Sequence, residues 1–326
     1  MRKGYKVYLT WTTPTQTTDR QIIRHPGGTR ICRNLVSATA PEAKKDECGN
    51  EVGTLPPAQP MAGAPTPKST PAPKPVEKYT DEISTAGIDP QGTFTYVVEV
   101  TNDRGRSAGL SNRAQIPAAP TLAPPARFAA QVRADGIFIS WTPLPPRVAP
   151  PELHYVYRIY RGDENGKDKV AIELPLDAAP NSFVDRNFEW EKSYTYRATI
   201  VTLIHREAGP EAQVEGDDTP DVSVFAHDIF PPAAPSGLQA AFSGENQQSF
   251  IDLIWNPNEE NDLAGYNVFR HENGAPAVKI NSDLVKPPAF RDGNVLPGKK
   301  YYYSVSAADV RGNESPRSEE ANESVP

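Results

Sequence analysis

The chain has 326 residues, a formal charge of −7 and 35 prolines, far above a usual proline share of about 5%. That length allows two or three ordinary domains, and so much proline must lie in linkers, edges and loops, because it removes a backbone donor from any element. The basic residues are scattered and form no stripe to replace phosphate counterions, which excludes a nucleic-acid partner, and no apolar run reaches the ~18 residues of a membrane span.

Met1-Arg2-Lys3 would suit the start of an export signal, but Gly4-Tyr5-Lys6-Val7-Tyr8-Leu9 alternates like a strand instead of forming an apolar core. These residues therefore contain no export signal. The alternation ends at Trp11, with Pro14 closing the strand. Almost nothing precedes it, so this unit is expected to lack an opening strand, as a domain cut short at its N-terminus would; upstream residues would then be free to carry the signal. A second strand is expected at Gln21-Ile22-Ile23-Arg24, followed by a turn at Pro26-Gly27-Gly28. Further on come Tyr79-Thr80-Asp81 and the strong strand Phe94-Thr95-Tyr96-Val97-Val98-Glu99-Val100.

The same four landmarks recur twice. In the second unit they are Ile137-Phe138-Ile139-Ser140-Trp141, Tyr157-Arg158-Ile159-Tyr160-Arg161, Phe183-Val184-Asp185 and Tyr194-Thr195-Tyr196-Arg197-Ala198-Thr199-Ile200. In the third they are Phe250-Ile251-Asp252-Leu253-Ile254-Trp255, Tyr266-Asn267-Val268-Phe269-Arg270, Phe290-Arg291-Asp292 and Tyr301-Tyr302-Tyr303-Ser304-Val305-Ser306-Ala307. Such internal repetition marks an array. The joints, Pro117-Ala118-Ala119-Pro120 through Pro124-Pro125 and Pro231-Pro232-Ala233-Ala234-Pro235, are expected to act as stiff spacers that hold the units apart.

These residues resemble the fibronectin type III family, whose members are seven-stranded antiparallel sandwiches. Pro235-Ser236-Gly237-Leu238 is similar to the family's opening, Trp255 to its core tryptophan, and Asp262-Leu263-Ala264-Gly265-Tyr266-Asn267-Val268-Phe269-Arg270 to its bacterial third strand. Leu296-Pro297-Gly298-Lys299-Lys300-Tyr301 resembles the corner in which a tyrosine hydroxyl bonds back to nearby backbone. Tyr194 stands at that corner in the second unit, and Phe94, without a hydroxyl, in the first. The resemblance implies an all-β fold of tandem immunoglobulin-like sandwiches at 1–117, 121–229 and 233–326, with Trp11, Trp141, Trp255, Phe94, Tyr194 and Tyr301 as core residues.

The first unit also carries an insertion, at about 26–76. Arg161 to Phe183 is 22 residues and Arg270 to Phe290 is 20, but Arg24 to Tyr79 is 55, an excess of 33 to 35. Its prolines point to an extended, mostly disordered stretch. Both cysteines lie in it, and a Cys32–Cys48 disulfide would imply an oxidising compartment; the alternative is two free thiols. Zinc needs four ligands, and only His25 is near enough to be a third.

Little else points to chemistry. Arg161-Gly162-Asp163 matches an adhesion tripeptide, but a strand-ending arginine and a Gly-Asp turn explain it. The histidines occur singly, and Asp217-Asp218 with Asp221 reads as a solvated acidic loop. In Tyr301-Tyr302-Tyr303 the strand alternation exposes one ring only, Tyr302. No catalytic, cofactor-binding or metal-binding residue is expected. The reading is a non-enzymatic, extracytoplasmic array for adhesion, spacing or envelope assembly, whose partner is a protein or glycan at the cell envelope. The alternative is a non-catalytic accessory region of a polysaccharide-acting enzyme.

Overall fold

A computed structural model describes residues 1–14, 26–37, 48–57, 76–145, 147–164, 166–206, 211–244 and 248–326. The structure is all-β. The first group of strands is β1 (Arg2–Lys3), β2 (Lys6–Thr12), β3 (Pro26–Val36), β4 (Asn50–Leu55), β5 (Val76–Glu82), β6 (Thr93–Asn102), β7 (Ser107–Leu110) and β8 (Ala114–Pro117). The second is β9 (Ala126–Arg133), β10 (Gly136–Thr142), β11 (Leu153–Gly162), β12 (Asp168–Pro175), β13 (Ser182–Asp185), β14 (Ser193–Ile204), β15 (Ala212–Glu215) and β16 (Val222–Phe225). The third is β17 (Gln239–Ser243), β18 (Phe250–Ile254), β19 (Leu263–Glu272), β20 (Val278–Lys279), β21 (Ala289–Asp292), β22 (Lys300–Asp309) and β23 (Ala321–Ser324).

Each group forms two antiparallel sheets. One is three-stranded, ordered β1-β2-β5, β9-β10-β13 or β17-β18-β21. The other runs β4-β3-β6-β7, β12-β11-β14-β15 or β20-β19-β22-β23, with β8 also pairing β6 and β16 pairing β14. The inward residues of the alternating strands meet between the two sheets. Val7 packs with Ile31 and Tyr96 in the first sandwich, and Ile251 and Leu253 with Val268 and Tyr303 in the third. In the second, the Trp141 ring lies 5.3 Å from that of Tyr157.

The chain divides into two compact units. One comprises Met1–Val132, Gly136–Phe188 and Lys192–Phe225; the other comprises Arg133–Asp135, Glu189–Glu191 and Ala226–Pro326.

Four expectations are corrected. First, the arginine-bearing strand is β3, whereas Gln21–Arg24 lie outside the described residues. Pro26-Gly27-Gly28 is no turn; it begins β3, where the register against β6 shifts between Pro26 and Thr29. A side chain on Gly27 would meet the Asn102 carbonyl oxygen at 2.3 Å, so glycine serves a close approach of two backbones. The repeat arginine is thus Arg33. It stands 46 residues before Tyr79, and the insertion shrinks to an excess of 24 to 26. Its inner part contains strand β4; 38–47 and 58–75, with most of the prolines, lie outside the described residues.

Second, the opening strand is present but short: β1 pairs with β2 on the edge that β9 and β17 take in the other sandwiches. Third, Cys32 is on β3 and fully buried, not in a loop. Fourth, the first joint does not hold its neighbours apart. Ala118 is buried in the first core, and Ala119 in a cluster with Leu153, Ile204 and Val214 of the second. The intervening carbonyls are also used: Arg2 Nη1 donates to Pro117 O (2.5 Å), Thr202 Oγ1 to Pro120 O (2.9 Å) and Tyr5 Oη to Thr121 O (3.1 Å).

Candidate functional site

The polar groups that recur in all three sandwiches form one arrangement. Arg33, Arg161 and Arg270 stand directly across the ladder from Tyr96, Tyr196 and Tyr303. From the facing sheet an aspartate reaches both. Asp81 Oδ2 accepts from Arg33 (2.5 Å) and Tyr96 (2.6 Å), Asp185 Oδ2 from Arg161 (2.7 Å) and Tyr196 (2.9 Å), and Asp292 Oδ2 from Arg270 (2.7 Å) and Tyr303 (2.9 Å). In the second and third copies the other carboxylate oxygen accepts the Asn187 and Asn294 backbone N–H groups. Burial pushes each tyrosine hydroxyl well above its ordinary pKa, and the neighbouring carboxylate pushes it further. The hydroxyls therefore stay protonated as donors. Each trio is a polar bolt between two sheets, with every member engaged.

The arginine planes also cover the corner aromatics, with Arg33 5.4 Å from the Phe94 centroid, Arg161 5.4 Å from Tyr194 and Arg270 4.9 Å from Tyr301. Phe94, Tyr194 and Tyr301 are all buried. At the third corner the Tyr301 hydroxyl accepts the Leu296 N–H at 3.0 Å. Trp141 and Trp255 are buried, whereas Trp11 is half-buried and its indole donates to Glu77 at 2.9 Å. Thr13 and Thr29 donate to the same carboxylate oxygen.

Cys32 and Cys48 are joined, with Cα atoms 5.5 Å apart. No zinc thiolate remains, and His25 lies outside the described residues. Arg161 of the Arg-Gly-Asp tripeptide is committed to Asp185, the Asn187 carbonyl and the Tyr194 ring. In the tyrosine run, Tyr301 and Tyr303 are buried and Tyr302 is partly exposed, its ring stacked on His271 at 5.0 Å with Lys300 5.3 Å away.

The acidic run is not simply solvated. Lys3 Nζ lies 2.7 Å from both Asp218 and Glu215, and the Gly4 N–H donates to the Glu215 carbonyl at 2.8 Å. Gly4 has φ +57°, and a side chain there would stand 2.5 Å from Asp217. Glu215 also accepts from Arg158 (2.7 Å) and Tyr160 (2.5 Å). Burial would raise its pKa, but Lys3, Tyr160 and Arg158 together outweigh that and hold it down to about 2. The residues that fasten the first sandwich to the second are therefore those that looked like an incipient export signal and an acidic loop.

The second sandwich also has an open cleft of about 580 Å³, lined by Leu144, Pro145, Arg147, Pro151, His154 and Tyr155 among others. No helix among the described residues is long and apolar enough to cross a membrane.

No family model matches the chain. It is 34% identical over 183 residues to an amylopullulanase of Thermoanaerobacterium saccharolyticum, and 36% identical over 182 residues to an amylopullulanase of Thermoanaerobacterium thermosulfurigenes. These matches take in 49% and 51% of this chain but only 13% and 9% of the enzymes. A solved Fn3-like protein from Clostridium thermocellum is 33% identical, with 94% of its length and 29% of this chain covered, at a TM-score of 0.25. The strand order and the core repeated in each sandwich are those of fibronectin type III domains.

Proposed function

We propose that the chain is a non-catalytic accessory region serving an extracytoplasmic polysaccharide-acting enzyme. The observation that carries this reading is the match of half the chain to a small part of two amylopullulanases. A stretch that occupies 13% or less of an enzyme is sized for a module beside the catalytic machinery. The bolts support a mechanical role, since their strongest polar groups are spent on joining sheets. The sequence match to the two enzymes favours this role over adhesion or envelope assembly, for which the fold alone would equally serve.

The Cys32–Cys48 disulfide supports placement outside the cytoplasm, where such bonds persist. Incubating the purified chain with starch and with pullulan tests the proposal. Release of reducing sugar by the chain itself would overturn it. Removing the matching region from a Thermoanaerobacterium amylopullulanase is expected to leave turnover of short soluble oligosaccharides unchanged and to slow attack on insoluble starch.

A further inference from the structure

Three carboxylates meet in the second compact unit from segments far apart in sequence. Asp228 lies in the stretch leading into the third sandwich, Asp262 immediately before β19, and Asp309 at the end of β22. One carboxylate oxygen from each lies within 4.8 Å of the other two. Asp228 and Asp309 are buried, at 4% and 2% exposure, and Asp262 is partly exposed.

Asp309 is held firmly: its Oδ1 accepts the Arg311 and Asn313 N–H groups at 2.8 and 2.9 Å, and its Oδ2 accepts from Asn313 Nδ2 at 2.8 Å. Asn313 also donates to the Asp228 carbonyl at 3.2 Å, and the Val310 N–H to the Asp262 carbonyl at 2.9 Å. The backbones are thus pinned together with like charges facing one another. Asp228 Oδ1 accepts one long bond, from the Phe230 N–H at 3.3 Å, while its buried Oδ2 has no hydrogen-bond partner among the described residues. A buried carboxylate oxygen without a donor is costly, and two further carboxylates beside it add repulsion. Burial first, and then Asp262 and Asp309, raise the Asp228 pKa, with the Phe230 N–H and then Arg311 opposing.

We propose that Asp228, Asp262 and Asp309 hold a calcium ion that ties the segment entering the third sandwich to that sandwich. The donors are all oxygen, which selects a hard cation. Calcium takes about six to eight oxygens, several of them protein carboxylates, in a flexible geometry, whereas magnesium demands a near-ideal octahedron and keeps most of its waters; three carboxylates converging within 4.8 Å of one another suit calcium.

The test is calorimetric titration of the full chain, freed of metal with EDTA, with calcium chloride and separately with magnesium chloride. Calcium is expected to bind at one site in this unit, more tightly than magnesium, and to slow amide exchange at Ala226–Phe230. Asp228→Asn and Asp262→Asn are each expected to weaken binding roughly tenfold or more, since affinity follows ligand charge. Asp262 is partly exposed, so its variant keeps the test valid if Asp228→Asn misfolds. Absence of calcium binding, unchanged affinity in the folded variants, or tighter binding of magnesium would each overturn the proposal.

Discussion

The first and third sandwiches share the bolt of arginine, aspartate and tyrosine and differ around it. In the third, the neighbouring corner is closed by the Tyr301 hydroxyl on the Leu296 N–H. In the first, Phe94 stands at that corner and a disulfide cross-links β3 to Cys48, two residues ahead of β4. The tryptophan differs too: Trp255 is buried, whereas Trp11 is half-buried and leans on Glu77. The comparison separates what the fold requires from what it tolerates. The sheets need a joined polar trio across the core, while a corner hydroxyl and a covalent bridge are local reinforcements used in different places.

Removing the bolt should have the largest effect. Asp292→Ala leaves Tyr303 without its acceptor and Arg270 with only the Asn294 carbonyl, and breaking a buried pair in this way costs about 3–5 kcal/mol. Asp81→Ala is expected to cost a similar amount despite the disulfide nearby. Urea denaturation of both variants, with amide exchange to locate the loss in β22 or β6, is the measurement. A loss below about 1 kcal/mol in either would show that the trio is incidental to that sandwich.

Next in size is the disulfide. The Cys32–Cys48 bond spans a sequence separation of 16, and closing a loop of about that length contributes roughly 3 kcal/mol in the chain-entropy picture. Cys32→Ala with Cys48→Ala should accelerate amide exchange in β3 and β6 and leave β19 and β22 unchanged. Equal acceleration in the third sandwich would contradict the view that the bridge is a local reinforcement.

Much of this frame was legible before any coordinates. Alternation marked the strands because each has one face buried, and the repeated order of landmarks marked the sandwiches. Arg24 was mistaken for Arg33 because the glycines after it look like turn residues, yet here they serve a bulge. Spacing could not decide between them: Trp141 to Arg161 is 20 residues but Trp255 to Arg270 only 15, a range that leaves Arg24, 13 residues beyond Trp11, and Arg33, 22 beyond it, about equally placed. The tyrosines of the bolts sit two residues beyond each corner aromatic, a regularity visible in the sequence but overlooked beside the corner itself. Lys3 with Glu215, and Asp228 with Asp262 and Asp309, were hidden for another reason. Their partners are remote in sequence, and only the assembled sheets bring them together.

The fastening of the first sandwich to the second offers a pH-dependent test. Folded Glu215 titrates at about 2, below an unfolded glutamate at about 4.3. As pH falls the unfolded chain takes up this proton first, so the stabilisation present above about pH 4.3 is lost toward pH 2. Its size, after solvent screening of a partly exposed group, is roughly 1–2 kcal/mol. Glu215→Gln should be less stable than the parent at pH 7, and the two should converge near pH 2. Parallel stability curves across that range would remove Glu215 as the acid-sensitive link.

The smallest expected effect returns to the corner. Tyr301→Phe keeps the ring beneath Arg270 and removes only the acceptor of the Leu296 N–H. A neutral hydrogen bond contributes about 0.5–1.5 kcal/mol, and Leu296 is exposed, so water can replace the lost partner and the lower end of that range applies. The variant would give the third sandwich the corner that the first already has. If the reinforcements are local, the urea midpoint should shift slightly, with faster exchange at the Leu296 amide and none at β19. Faster exchange throughout β19 and β22 would mean instead that the hydroxyl belongs to the bolt, and that Phe94 leaves the first sandwich dependent on its disulfide.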